Sequence, residues 1–306
     1  MLETVYGQPE AVAYLRRVAE GTLKLPLLLS GPSGVGRRFS VAETAKQVFG
    51  VEQQLALSGG HHPDYRVVEV EDDKDIKVEA VRDLIDETRS LPSWAPVKFF
   101  VIDGVDRLTI AAANALLKVL EERPQKARFF LLAEQSEAVI PTIRSRCAVV
   151  RYRRLPERFV LEKLLEITED EMKAQVCARV GEGSLGRATR CFVAGQLAVR
   201  DEARAVLEHA SRKDLFAVFS AVDEVADLPL ALTFMGQLLH DVLVVRVAPG
   251  RVVHLDTLDA LGTLSSVLTS EHVHQLLADL RLVRERARAP VNLAFHVKSA
   301  LASACV

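Results

Sequence analysis

Short apolar runs alternate with amphipathic stretches through the first half of the chain. The runs LPLLLSG (25–31), DYRVVEV (64–70), VKFFVID (97–103), RFFLLAE (128–134) and AVVRYR (148–153) are rich in consecutive apolar residues, the pattern of strands covered on both faces. Between them, IKVEAVRDLIDETRSL (76–91) puts Val78, Val81, Ile85 and Thr88 on one helical face, with Asp75 as the expected N-cap and Pro92 as the stop. TIAAANALLKVLEERP (109–124) reads as a second helix, capped by Thr109 and closed by Pro124. Strand–helix alternation of this kind predicts a doubly wound α/β fold with a parallel sheet.

From Leu155 onward no strong strand pattern returns. ERFVLEKLLEI (157–167), EDEMKAQVCARVGEG (169–183) and most of 200–303 carry helical periodicity. In ALTFMGQLLHDVLVVRV (231–247) the residues Ala231, Met235, Leu239, Val242 and Val245 form one stripe. GEGSLGRA (181–188) is the Gly-rich punctuation in this half and reads as a turn or helix start in a small helical lid.

Composition narrows the classes. With 306 residues, 49% of them hydrophobic, the chain can bury a sizeable core. A net charge of -2 argues against a protein that grips nucleic acid on its own, although Arg144, Arg146, Arg151, Arg153, Arg154 and Arg158 crowd one span. That span and the acidic run Glu69–Asp75 read first as solvated charge, with DNA phosphate contact by the arginines as the alternative. Cys147, Cys177, Cys191 and Cys305 form no C-x-x-C pair, which excludes a zinc ribbon or a disulfide framework and fits a reducing cytosol. The N-terminus MLETVYGQPE lacks the basic and apolar regions of a signal peptide, and the apolar run LPLALTFMGQLL (228–239) is too short to span a bilayer. The expectation is a soluble cytoplasmic protein without a membrane partner.

The chemistry concentrates in LLLSGPSGVGRRFS (27–40). An apolar strand, glycines at Gly31, Gly34 and Gly36, and a following helix are the frame of a phosphate-binding loop, whose backbone N–H groups and helix dipole hold the anion. Such a loop continues with Lys, which reaches the outer phosphates, and Ser or Thr, which holds Mg²⁺. Arg37 and Arg38 stand there instead. Arg37 keeps the charge with a different geometry, and Arg38 has no acceptor atom for a metal. Asp103 closes an apolar strand as the acid of a Walker B segment does, but the next position, where an active ATPase carries an acid that orients water, is Gly104; Asp106 is displaced. Taken alone, the loop is also compatible with a plain strand–helix turn; paired with Asp103, it reads as a relic nucleotide site that does not hydrolyse ATP.

The ordered series GPSGVG, HPDY, FFVIDGVDRLT, AANALLKVLEE, IPTIRSRC and GSLGRA, spread over about Tyr6 to Arg190, resembles the delta-prime subunits of bacterial DNA polymerase III clamp loaders, a branch of the AAA+ ATPases, and VNLAFHVKSAL (291–301) is similar to the tail of the family's collar. The resemblance implies a RecA-like core (1–153), a helical lid (154–198) and a helical collar that closes a ring (199–306). It implies a non-hydrolysing stator that works with the motor (gamma/tau) and delta subunits to place a sliding clamp on primed DNA, in the cytoplasm at replication forks. Arg146 of the SRC motif, flanked by Ser145 and Cys147, is on this resemblance an arginine finger for the ATP and Mg²⁺ of the neighbouring subunit, with Arg187 at the family's second-sensor position and Glu134–Ser136 at its first. No cofactor of the chain's own is expected. Family members commonly carry a cysteine-built zinc module before HPDY; here QQLALSGGHHPDY has no cysteine, so His61 and His62 read as loop residues and no metal is expected. Two other functions stay open: a divergent motor ATPase using Arg37 and an acid such as Asp106, and a DNA-binding repair accessory.

Overall fold

The computed structural model describes residues 2, 4–69, 75–286 and 292–304. The chain divides into two compact units, Met1–Pro156 with Gly183–Gly186, and Glu157–Glu182 with Arg187–Val306.

In the first unit the expected strands all form: β1 (Leu27–Ser30), β2 (Tyr65–Glu69), β3 (Lys98–Asp103), β4 (Ala127–Ala133) and β5 (Ala148–Arg151). The described residues make one five-stranded sheet in the order β2-β3-β4-β1-β5, with every pairing parallel. Every residue of β1 and β4 is buried, while the edge strands β2 and β5 mix buried and exposed positions. This is why the central runs are apolar without alternation. Successive residues serve opposite faces: Leu27, Leu29, Phe99, Val101, Phe130 and Leu132 pack with α1 (Pro9–Ala19) and α2 (Arg37–Phe49). Leu28, Phe100, Ile102, Phe129 and Leu131 pack on the other side, below α4 (Val78–Glu87) and α5 (Ile110–Glu122). The short helices α3 (Gln54–Ser58) and α6 (Pro141–Arg144) lie in connections.

Thr109 caps α5 as expected, accepting the N–H of Ala112. Asp75 does not cap α4. That helix begins at Val78, with Lys77 in the cap position and no side-chain cap. The cause is Ile76, which is buried and bridged to Leu108: its N–H donates to Arg107 O (2.9 Å) and its carbonyl accepts from Thr109 (3.1 Å). Chain held extended at Ile76 cannot start a helix until the bridge is passed. Val81 and Leu84 are the deeply buried residues of the helix, with Val78 and Ile85 at their flanks. Of the acidic run expected as solvated charge, Glu69 ends β2 and is exposed, Asp75 is exposed, and residues 70–74 lie outside the described residues.

The second unit is helical: α7 (Glu157–Leu165), α8 (Glu171–Val180), α9 (Leu185–Val193), α10 (Leu197–Ser211), α11 (Leu215–Glu224), α12 (Leu228–Val244), α13 (Leu258–Val267), α14 (Ser270–Arg286) and α15 (Leu293–Ala304). The α12 stripe is buried at Ala231, Met235, Leu239 and Val242. Beside it lies Asp241, also buried, whose carboxylate accepts the N–H groups of Val253 and His254 and the His254 Nδ1–H. Cys177 and Cys191, unrelated by spacing, meet sulfur to sulfur at 3.3 Å inside the unit as free thiols. Cys305 lies outside the described residues. Among the described residues no helix is long and apolar enough to cross a membrane.

The HPDY segment (62–65) leads into β2 and is tied to the chain ahead of β3. Asp64 is buried and accepts the N–H groups of Ser93 (2.8 Å), Trp94 (2.7 Å) and Ala95 (2.8 Å). Burial alone would raise its pKa, but these donors together with His62 hold it below the ordinary carboxylate value. Asp64→Ala is expected to cost about 2–4 kcal/mol in urea unfolding at pH 7. Because the folded pKa is depressed, that contribution is complete above the ordinary carboxylate range and fades as pH falls through the lowered value, so the gap between wild type and variant narrows in acid.

Candidate functional site

The loop after β1 emerges at the C-terminal edge of the sheet, where open α/β sheets bind ligands. Its curvature requires positive φ at Gly34 (75°) and Gly36 (99°). Space is short on both sides. A Cβ on Gly31 would stand 2.5 Å from Tyr152 O and 2.8 Å from Tyr152 Cβ. A Cβ on Gly34 would collide with Ser184 Oγ and come within 3.0 Å of Gly186 Cα. Gly186 N–H donates to Gly34 O (3.0 Å), and Ser184 Oγ donates to Ser33 O (2.8 Å). The GSLG turn thus belongs with the loop and holds its carbonyls.

The two arginines differ in burial. Arg37, the first residue of α2, is buried, and its Nη1 has no hydrogen-bond partner among the described residues. Arg38 is ion-paired with Glu69. Glu69 and Asp103 are register partners on neighbouring strands, so the sheet edge carries two adjacent acids opposite the two arginines. Asp103 has its pKa raised, first by burial; Arg37 and Arg38 pull it down, and Glu69 and Asp106 push it up. Two phenols complete the cluster. Burial pushes both Tyr65 and Tyr152 up to about 12; Tyr152 OH shares a hydrogen bond with Ser40 Oγ, and Tyr65 OH is buried without a partner among the described residues.

These groups do not fit a magnesium nucleotide. Arg38 offers no metal ligand and is committed to Glu69. Gly104 takes a left-handed conformation (φ 94°) that glycine adopts without cost. The Asp106 carboxylate accepts the N–H of Glu134 (3.2 Å), which ties the expected first-sensor position to the end of β3. Arg187 sits at the start of α9 in the second unit, 3.6 Å from Glu182. His62 is more than a loop residue: it is buried, stacks on Phe49, accepts from Asp64 N–H at Nδ1 and meets Gln53 at Nε2.

The SRC segment lies between α6 and β5. Ser145 Oγ donates to Thr142 O (3.1 Å), and Cys147 is a packed thiol that burial pushes up to about 12. Arg146 bonds Glu121 of α5 through Nε (2.9 Å) and Nη2, and Thr142 O through Nη1 (2.8 Å). A third of its side chain, 33%, remains exposed. Its neighbours in the arginine-rich span have acceptors as well: Arg144 meets Ser136 O, Arg151 faces Glu137 and Arg158 pairs with Glu162.

Residues 7–156 match the family described as DNA polymerase III, delta subunit. The DNA polymerase III subunit delta' of Escherichia coli is 28% identical over 233 residues, which cover 75% of this chain and 70% of that one. Over its first unit the chain is similar to DNA polymerase III clamp-loader subunits. A replication factor C small subunit of Methanosarcina acetivorans is 33% identical over 56% of this chain, which spans about half (48%) of that relative's length. The fold, a five-stranded parallel sheet with helices, then further helices, is shared with a DNA polymerase III gamma subunit-related protein from Thermotoga maritima, with TM-score 0.56, 17% identity, and coverage of 96% of this chain and 98% of that one. Sequence reasoning reached Gly31, Gly34, Gly36, Arg37, Arg38 and Asp103, which the structure gathers at one edge; it missed Tyr65, Tyr152 and Glu69 beside them, and Glu121 as the partner of Arg146. Glu121 was within sight, since it lies in AANALLKVLEE.

The crowding separates the loop glycines. Gly31→Ala, which forces Cβ into the Tyr152 backbone, is expected to lose about 2–4 kcal/mol. Gly36→Ala meets open space and pays only for its backbone conformation, about 1–2 kcal/mol. Urea midpoints of the free chain measure both.

Proposed function

We propose that the chain is the non-hydrolysing stator of a DNA polymerase III clamp loader: it works beside motor and delta subunits, in the cytoplasm, and supplies Arg146 in trans to a triphosphate held by the neighbouring motor while a sliding clamp is loaded on primed DNA. On this reading 1–153 is the core, 154–198 the lid and 199–306 the oligomerising collar, and the chain needs no nucleotide, magnesium or zinc of its own. The observation that carries it is the fate of the two loop arginines. Arg38 is bound to Glu69 and Arg37 is buried beside Asp103, so the two cations that would handle a phosphate lie against the acids of the sheet edge. Arg146 is anchored on Glu121, outside that cluster, and still partly exposed. A guanidinium so held offers charge-assisted hydrogen bonds to negative charge that grows in a transition state.

One observation favours a second reading, a divergent motor with its own site: the unpartnered Nη1 of Arg37. Against it stands the absent metal ligand at Arg38.

Phosphate release by the isolated chain, and by the reconstituted loader with Arg146→Ala, tests the choice. The isolated chain is expected to stay at background. In the loader, Arg146→Ala is expected to cut clamp- and DNA-stimulated hydrolysis at the adjoining site by about 10³- to 10⁵-fold, with assembly intact. An unchanged rate rejects the finger; motor-like turnover by the isolated chain, abolished by Asp103→Ala, supports the second reading.

A further inference from the structure

The contact between Arg146 and Glu121 carries a role of its own. A guanidinium has one N–H on Nε and a pair on each terminal nitrogen. Glu121 Oε1 takes the Nε–H and one N–H of Nη2; Thr142 O takes one N–H of Nη1, and Ser145 Oγ stands at 3.4 Å. One N–H of Nη2 is left, and at Nη1 the long contact to Ser145 Oγ is the one that an oxyanion can take over. The same carboxylate therefore fixes the plane of the fork, with a pair of donors that an oxyanion can reach. The carriers of both side chains are rigid. Leu116, Val119 and Leu120 bury one side of α5, and Ile143 with Cys147 pack into the same core, which brings the SRC segment against the helix. The neighbouring acid, Glu122, faces Lys118 instead (4.0 Å), so the two acids that end α5 have different partners.

We infer that Glu121 is a positioning residue for Arg146: it holds the guanidinium in the orientation from which its remaining N–H groups meet a phosphate oxygen. The inference rests on the proposed finger. Its physical basis is entropy. A free arginine side chain must give up roughly 2 kcal/mol of rotamer freedom when it engages, and a displaced donor can cost about 10²-fold in rate. Anchoring beforehand removes that loss. Stability is not the purpose, because Glu121 is half exposed (53%) and exposed ion pairs contribute about 0–1 kcal/mol.

The test is a double-mutant cycle in the reconstituted loader, with the free chain followed by NMR of its arginine Nε–H groups. Glu121→Ala is expected to lower kcat at the adjoining site by about 10- to 100-fold with KM for ATP unchanged. Glu121→Gln, which keeps Oε1 as an acceptor, is expected to recover most of that loss. Glu121→Ala with Arg146→Ala is expected to match Arg146→Ala alone, and in the free chain Glu121→Ala is expected to release the Arg146 Nε–H to fast exchange. Additive losses in the double variant, a rate raised by Glu121→Ala, or an unaltered Nε–H overturn the positioning role. If Arg146→Ala itself has no effect while Nε–H is released, the finger reading fails and the anchor stands as a fact of the free chain.

Discussion

Burial of the central strands on both faces is the constraint from which the rest follows. β1 and β4 contribute no exposed residue, and β3 exposes only its last, Asp103, in part. A sheet so enclosed can place polar groups only where strands end. Glu69, Asp103, the loop glycines and the segment that carries Arg146 all lie in such places, in strand ends and the connections between them. The division of labour within the first unit is therefore spatial: one edge of an inert core for the loop, and the approach to β5 for the exposed arginine.

At the first of these the charges cancel internally. Glu69 and Asp103 sit side by side in register, and two arginines answer them. A lysine and a threonine in those positions would leave the acids to a metal ion; arginines take over the counter-ion role themselves. The price is an imperfect fit, seen in the unpartnered Nη1 of Arg37 and the buried hydroxyl of Tyr65.

Much of this was legible in the residues, and the failures have physical causes. The strands were readable because burial on both faces demands consecutive apolar residues. The start of α4 was misplaced because the bridge from Ile76 to Leu108 is a tertiary contact that overrides a local cap signal at Asp75. Asp64 was read only as the start of the strand run DYRVVEV; its donors are 29 to 31 positions away. The Cys177–Cys191 contact joins two helices and has no spacing signature. Glu69 was grouped with the acidic residues that follow it, although strand pairing separates it from them. The identity of Arg146 as the residue of interest came from the flanking motif, while its anchor depends on how α5 and the SRC segment pack.

The tight quarters around Gly31 and Gly34 bear on how proteins of this kind are recognised. Tyr152 on one side and the turn at Ser184 and Gly186 on the other leave no volume for a side chain, whatever the loop binds. Glycines there are demanded by folding alone, so a search keyed to them flags spent and working sites alike. The discriminating letters are the two that follow, at positions 37 and 38, where no steric rule dictates the choice and only chemistry does.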